Sequence, residues 1–249
     1  MIRKSKNGIE WLEFEKLSPI PGLVHGVFSR KGGVSPSPYT FLNAGGGSGD
    51  EPLNVEKNRL LIQQTLELPH LANGHQVHGD HLIHVKSPHL INCAECDALF
   101  TEEKGIGLMI KHADCQAAIF YDKNLRTLAN VHSGWRGNVQ NIYGKTVRFM
   151  QEKGSSPQDI IVCISPSLGP MASEFKHYEK EFPESFWPYQ VKPFYFDLWE
   201  ISKNQLLQAG ILEENIEIAQ ICTYETPSDF FSYRREKTTG RNATIAALT

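Results

Sequence analysis

Ala117-Ala-Ile-Phe-Tyr-Asp122 and Thr127-Leu-Ala-Asn-Val-His132 decide the fold, separated only by Lys123–Arg126. Each is a short apolar run bounded by turn residues, the length and composition of a buried strand. The pattern repeats in Asp97–Thr101 and Gly107–Lys111 before them and in Ile160–Ser165 after them. Between the last two strands lies Gly137–Met150, with apolar residues at 139, 142, 143, 147 and 150. That is helical spacing and predicts one helix, with Gly154 beyond it as a C-terminal cap. Further out, Glu56–Leu66 reads as a helix that stops before Pro69, and Ser173–Phe182 as a short helix. Asp197 is placed to cap a helix running to about Gln208 and closed by Gly210. Ile216–Thr223 and Thr244–Leu248 read as late strands, and Ala44–Asp50, with four glycines, as a loop. Strands and helices mix without a strict βαβ rhythm. The expected class is α/β (α+β), a single domain over residues 1–249 with mixed sheets flanked by helices.

Composition excludes several functions. The chain has 249 residues, with 25 Lys and Arg against 28 Asp and Glu, a net charge of −3. No basic excess marks a nucleic-acid binder. At 40% hydrophobic residues the chain is not disordered. Its longest apolar runs, Ala117–Tyr121 and Ile160–Ile164, have five residues, whereas a membrane helix needs about 20. The start, Met1–Phe14, carries charge and no apolar signal core. Five cysteines, an odd number spread widely, suit free thiols in a reducing compartment. The expectation is a cytoplasmic protein, monomer or homodimer, without nucleic-acid or membrane partners.

Three segments carry chemistry: Asn73-Gly-His-Gln-Val-His-Gly-Asp80, Lys111-His-Ala-Asp-Cys115 and Val131-His-Ser-Gly-Trp-Arg-Gly137. Each sets a His or Cys beside turn residues at the end of an apparent strand, where scaffolds display functional groups. Imidazole and thiolate suit zinc. One ligand from each segment makes a Cys/His₂ set with a fourth position open, the pattern of catalytic zinc. Spacing alone leaves alternatives. His78 to Cys115 is 37 positions and Cys115 to His132 is 17, neither a compact metal motif. Cys115 also reads as a small core residue, and His78 and His132 as hydrogen-bonded histidines. His75, His81 and His112 compete for any ligand role.

The chain resembles a known family. His25-Gly-Val-Phe-Ser-Arg30, Gly32-Gly-Val-Ser35 and Leu42-Asn43 are similar to its N-terminal signature. Gln76-Val-His-Gly79, Asp97-Ala98, Ala113-Asp-Cys115 and His132-Ser-Gly-Trp-Arg-Gly137 are similar to the central ones. Phe231-Ser-Tyr-Arg-Arg235 with Thr239-Gly-Arg241 is similar to the C-terminal one. This is the YfiH-type family, once described as polyphenol oxidase or laccase-like and now as purine nucleoside phosphorylases with adenosine deaminase activity. The resemblance implies metal ligands at His78, Cys115 and His132, with zinc as the cofactor and copper able to replace it. It implies phosphorolysis of adenosine, inosine and methylthioadenosine, hydrolytic deamination of adenosine, and a fold like a bacterial toxin deamidase domain. His112 and Ser133 depart from the family's usual residues. Arg30 is the further catalytic candidate, and Arg30, Asn43, Trp135, Arg136 and Arg234 are candidates for nucleoside or phosphate contact. Arg241 and the amides after Trp135 could add to an anion site. Asp114 is a weaker candidate for the acid that deamination needs.

Other signals carry less. Cys93-Ala-Glu-Cys96 has redox-pair spacing but no second pair, and reads as two free thiols in a loop. His177-Tyr-Glu179 lacks the following P-C-x-x-C of nucleobase deaminases. The chain has no H-x-H, the paired motif of multicopper oxidases. Polyphenol oxidation would then belong to a copper-loaded form. Two other readings stand beside the phosphorylase: a cysteine hydrolase or deamidase using Cys115 and His132, and a metal- or nucleoside-binding module without turnover.

Overall fold

A computed structural model describes residues 1–87 and 92–249, with 92 and 93 described by backbone alone. The two deciding segments form β9 (Gln116–Asp122) and β10 (Thr127–Ser133). They pair antiparallel from Asp122 opposite Thr127 to Gln116 opposite Ser133. The reversal is tied by Asp122, whose Oδ1 accepts from the amides of Asn124 and Leu125 at 2.8 and 2.9 Å.

These strands are central to a six-stranded sheet ordered β14 (Ile216–Ile218), β11 (Ile160–Ile164), β9, β10, β7 (Ala98–Thr101) and β5 (Leu82–His84). A seven-stranded sheet packs on it. Its order is β1 (Ile2–Lys6), β2 (Ile9–Glu13), β3 (Leu23–Phe28), β15 (Asn242–Leu248), β8 (Ile106–His112), β4 (His70–His75) and β6 (Asn92–Glu95). β12 (Gln190–Lys192) and β13 (Tyr195–Phe196) form a separate ribbon. Pairing is mixed: β8, β4 and β6 run parallel, and β3, β15 and β8 antiparallel.

The central strands of both sheets are buried on both faces, which explains why they read as continuous apolar runs. Side chains alternate. Leu108, Ala246 and Leu248 meet Ile119, Tyr121 and Leu128 between the sheets. Met109, Ala243, Ile245 and Ala247 face the other way, against Ile62 and Leu66 of the α1 region (Pro52–Thr65 and its cap). Ala118, Phe120, Ala129 and Val131 face α3 (Ile142–Glu152) and α5 (Leu198–Gln208). The layers are therefore helix, sheet, sheet, helix. Asp197 caps α5 as expected, accepting from the Glu200 amide at 3.0 Å, and Gly210 follows with φ +91°.

Several expectations need correction. The segment 137–150 is not one helix. It divides into α2 (Trp135–Val139) and α3 at Asn141, which sits in the left-handed region at φ 53°. Asn141 then caps α3 by accepting from the Gly144 amide at 3.1 Å. Ile142, Tyr143, Val147 and Met150 are buried, but Val139, which completed the helical pattern, is exposed. The amides after Trp135 thus belong to a five-residue helix with too few aligned peptides for an appreciable dipole. Of Ser173–Phe182 only α4 (Tyr178–Glu181) is helical. Glu174 instead bridges to Tyr195, and Phe175 and Phe182 pack into an aromatic cluster with Phe186 and Phe196. The strand at 216 stops at Ile218, although Cys222 bridges to Ser167. α1 starts earlier, with Pro52 at its first positions, where a missing N–H costs nothing. Cys96 lies just beyond strand β6, in a connection as expected, and is buried. The Cys93 side chain lies outside the described residues. Among the described residues no helix is long and apolar enough to cross a membrane.

Candidate metal centre and its cavities

His78 stands in the loop after β4, with φ 60°, a conformation unfavourable for a residue with a Cβ. Asp97, directly before β7 and fully buried, holds it there. Its Oδ1 accepts from the His78 amide at 3.0 Å, and its Oδ2 from the amides of Val77 and Gly79 at 3.1 and 2.8 Å. The same carboxylate accepts from His132 Nδ1 at 2.7 Å, and the Asp97 carbonyl accepts from the His132 amide at 2.6 Å. One buried acid thus fixes both histidines. Cys115 comes from the tight connection of β8 to β9, just after Asp114 at φ 83°.

The three side chains converge. Cys115 Sγ lies 3.9 Å from His78 Nε2. The imidazoles of His78 and His132 meet edge to face with centroids 5.0 Å apart. One ligand atom from each of the three lies within 4.8 Å of the other two. His132 is buried, Cys115 half-buried and His78 exposed, so the cluster is walled on one side and open on the other. The Asp97 bond fixes His132 as donor at Nδ1 and leaves Nε2 for a ligand, the carboxylate–histidine arrangement typical of metal sites. Two imidazoles and a thiolate, open on one side, suit zinc.

The electrostatics favour the Cys115 thiolate, paired with a protonated His132 whose Nε2 proton a metal would displace. Burial alone would raise the Cys115 thiol, but His132 and His78 outweigh it and lower the pKa to about 6. Burial would lower His132, but Cys115 and Asp97 push it up to about 9. Burial likewise opposes ionisation of Asp97, and the bond from His132 and the loop amides hold its pKa below the usual value. The histidine competitors are outside the three-ligand group, though His75 and His112 line a cavity beside it. His112 is fully buried, bonds Thr244 Oγ1 at 2.9 Å, and burial holds its pKa down to about 3, so it is a neutral core residue. His81 bonds the Glu95 carbonyl at 2.8 Å.

Two cavities meet at this cluster. The larger, about 600 Å³, is walled by Trp135, Arg136, Phe175, Arg234 and Tyr233 beside His78 and Cys115. Arg136 lies over Trp135, 4.3 Å from the ring centroid. Arg234 donates to the Glu174 carbonyl at 3.0 Å and sits near Phe175. The second cavity, about 510 Å³, also reaches His78, Cys115 and His132, and is walled by Gly45, Gly46, Gln76, Lys111 and Arg241.

Of the remaining candidates, Arg30 and Asn43 lie behind these walls. Arg30 lines neither cavity. Its guanidinium donates to the carbonyls of Thr40 and Pro227 and pairs with Glu236 at 2.8 Å, over the Phe231 ring. Asn43 is fully buried. Its Oδ1 accepts from the amides of Gly45 and Arg241 at 2.9 and 2.8 Å, so it shapes the glycine loop of the second cavity. The Asp114 carboxylate is turned to the C-terminal segment, accepting from Thr223 Oγ1 at 2.7 Å and the Arg234 amide at 2.6 Å. Sequence reasoning assigned no role to Asp97 or Lys111. Asp97 stood in the sequence as a lone carboxylate opening an otherwise apolar strand and as part of the Asp97-Ala98 signature, neither of which states what it holds.

Fold and site together define a mixed α/β protein, two packed sheets flanked by helices, with an open His/Cys/His cluster at the ends of inner strands. The chain belongs to the family described as Multi-copper polyphenol oxidoreductase laccase, whose model matches residues 24–249, and within it to the YfiH type. It is 32% identical over 244 residues to a protein of Bacteroides thetaiotaomicron named purine nucleoside phosphorylase, covering 90% of each chain. It is also 32% identical to the purine nucleoside phosphorylase YlmD of Geobacillus stearothermophilus, covering 90% of this chain and 89% of that one. The crystal structure of YlmD from that organism superposes with a TM-score of 0.88 at 28% identity, over 98% and 97% of the two chains. The YfiH structure from Bacillus licheniformis superposes equally well, at 25% identity over 99% of each.

Proposed function

We propose that this chain is a zinc-dependent purine nucleoside phosphorylase that also deaminates adenosine, with the metal on His78, Cys115 and His132. The observation that carries it is the open three-ligand cluster standing between two cavities, in a chain whose relatives bear the phosphorylase name. Bound there, zinc supplies Lewis acidity at the junction of the cavities. The chain does the rest. Trp135 and Phe175 give the larger cavity aromatic walls suited to a purine face. Cationic side chains flank the cluster, as an anionic co-substrate requires. Asp97 holds His78 and His132 in place, so no reorganisation is spent as charge develops. In phosphorolysis a phosphate oxygen bonds to C1′, the C1′–N9 bond breaks and the base takes up a proton. In deamination water adds at C6 and ammonia leaves.

Asp97, His132 and Cys115 also have the geometry of an orienting acid, a base and a thiolate nucleophile, which favours a cysteine hydrolase as the second reading. One experiment separates them. Purified protein is analysed for metal and assayed on adenosine with and without phosphate. We expect about one zinc per chain, lost in Cys115→Ala. Adenine and ribose 1-phosphate should form with phosphate, inosine should form without it, and chelator should abolish both. Neither product in zinc-loaded protein refutes the phosphorylase. Chelator-resistant activity that alkylation of Cys115 destroys supports the hydrolase.

A further inference from the structure

The two cavities that meet at the His/Cys/His cluster differ in charge. The larger has both signs: Arg136, Lys176, Arg234 and Lys237 face Asp114, Glu174 and Glu181. The second has no acidic residue in its wall, yet both Lys111 and Arg241 line it. Neither cation forms an ion pair with a carboxylate among the described residues. Lys111 Nζ donates to Asn73 Oδ1 at 3.1 Å and to the Gly74 carbonyl at 2.7 Å. Arg241 Nη1 donates to the carbonyls of Thr239 and Gly240 at 2.9 and 3.0 Å. A third cation stands behind the glycine loop. Arg59 Nε donates to the Ala44 carbonyl at 2.9 Å, and its Nη2 lies 3.5 Å from where a Cβ on Gly46 would sit. All three are half-buried. Burial disfavours the charge of each, and Arg59 adds to the pressure on Lys111, whose pKa falls to about 8. Three desolvated cations with no carboxylate in direct contact are costly unless an anion completes them.

The loop between them leaves room for such an anion. A Cβ on Gly45 would lie 2.4 Å from Arg241 Cγ, so only glycine lets the loop pass this close. Asn43 fixes that loop and Arg241 together through one side-chain oxygen.

We propose that the cavity walled by Lys111, Arg241 and the Gly45–Gly46 loop is the subsite for an inorganic phosphate dianion, on the opposite side of the His78/Cys115/His132 cluster from the nucleoside. Arg59 reinforces it from behind the loop. This rests on the phosphorylase reading for its place in a reaction. As a binding site it stands independently. It assigns Arg136 and Arg234 to the nucleoside side.

The test is calorimetric titration of inorganic phosphate into full-length zinc-loaded protein, alongside the phosphate KM for adenosine cleavage. Lys111→Gln and Arg241→Gln should each weaken phosphate binding about tenfold or more and raise the phosphate KM in parallel, from loss of a charge-assisted contact. Nucleoside KM should stay within about twofold. Arg136→Gln should show the reverse split. Lys111→Arg retains the charge and should recover most of the affinity, which separates loss of charge from misfolding. Adenosine monophosphate, titrated as a competitor, distinguishes a free phosphate from a nucleotide phosphate. No phosphate binding by the parent protein, binding only of the nucleotide, or phosphate affinity that follows Arg136 instead of Lys111 and Arg241 each overturns the inference. Phosphate binding that obeys it without nucleoside cleavage overturns the phosphorylase reading and leaves the subsite standing.

Discussion

Replacing Asp97 by Asn should loosen the metal centre without touching a ligand. The carboxylate accepts four hydrogen bonds, from His132 Nδ1 and from the amides of Val77, His78 and Gly79. An Asn keeps one oxygen and puts an NH₂ where the other stood. Whichever way it turns, two of the four donors face another donor. If the NH₂ replaces Oδ2, the amides of Val77 and Gly79 lose their partner and the loop that holds His78 at its positive φ keeps only one of its three bonds to residue 97. If it replaces Oδ1, His132 loses its tautomer and the His78 amide its bond. Hydrogen bonds to a charged group contribute about 1.5–3 kcal/mol each. Losing two, with partial relaxation of an edge loop, costs about 3 kcal/mol. For a chain of this size that is a fall in Tm of about 6–12 °C. Zinc affinity should fall about 10–100-fold, the usual effect of removing a ligand's supporting carboxylate. Differential scanning calorimetry and competitive zinc titration read the two effects separately. A variant within about 1 °C of the parent in Tm and within twofold in zinc affinity would refute the reasoning that Asp97 organises the site.

Two further outcomes follow from residues away from the cluster. His25 is buried, accepts from the Phe14 amide at 2.8 Å, and burial lowers its pKa to about 4. Because the unfolded chain binds its proton first, stability is complete above about pH 6.5 and is lost as pH falls toward 4, by up to about 3 kcal/mol. Urea unfolding between pH 7 and 4.5 should show that slope reduced in His25→Gln; an unchanged slope counts against it. Asn141→Ala loses the α3 cap and keeps a strained left-handed backbone, for about 2 kcal/mol, whereas Asn141→Gly should recover most of the strain. Equal Tm values for the two variants would show that the backbone conformation is not the cause.

The central strands were legible because each is buried on both faces, so local composition reports their environment directly. Asp197 and Gly210 were legible for a similar reason: a cap is a local bond. The α2–α3 break was not, because a periodic apolar pattern runs through Asn141 unchanged while the backbone does not. The segment from Ser173 lost its expected helix to the aromatic cluster of Phe175, Phe182, Phe186 and Phe196, a contact set its own sequence does not contain.

By itself the sequence determined which residue types the site has to work with: an imidazole, a thiolate and an imidazole at strand ends. It left His75, His78, His81 and His112 as near equals, since a histidine's chemistry does not depend on its position in the chain. The family resemblance singled out His78, and the tertiary structure sets it against Cys115 and His132. The packing of β4 and β8 in one sheet against β9, β10 and β7 in the other brings residues 37 and 17 positions apart within 4.8 Å of one another, and buries Asp97 where it can hold two of them. The same packing turned Arg30 and Asn43 into supports and buried Lys111 and Arg241 with no carboxylate in direct contact among the described residues. Convergence and desolvation are properties of chain segments meeting, and neither is written in any one segment.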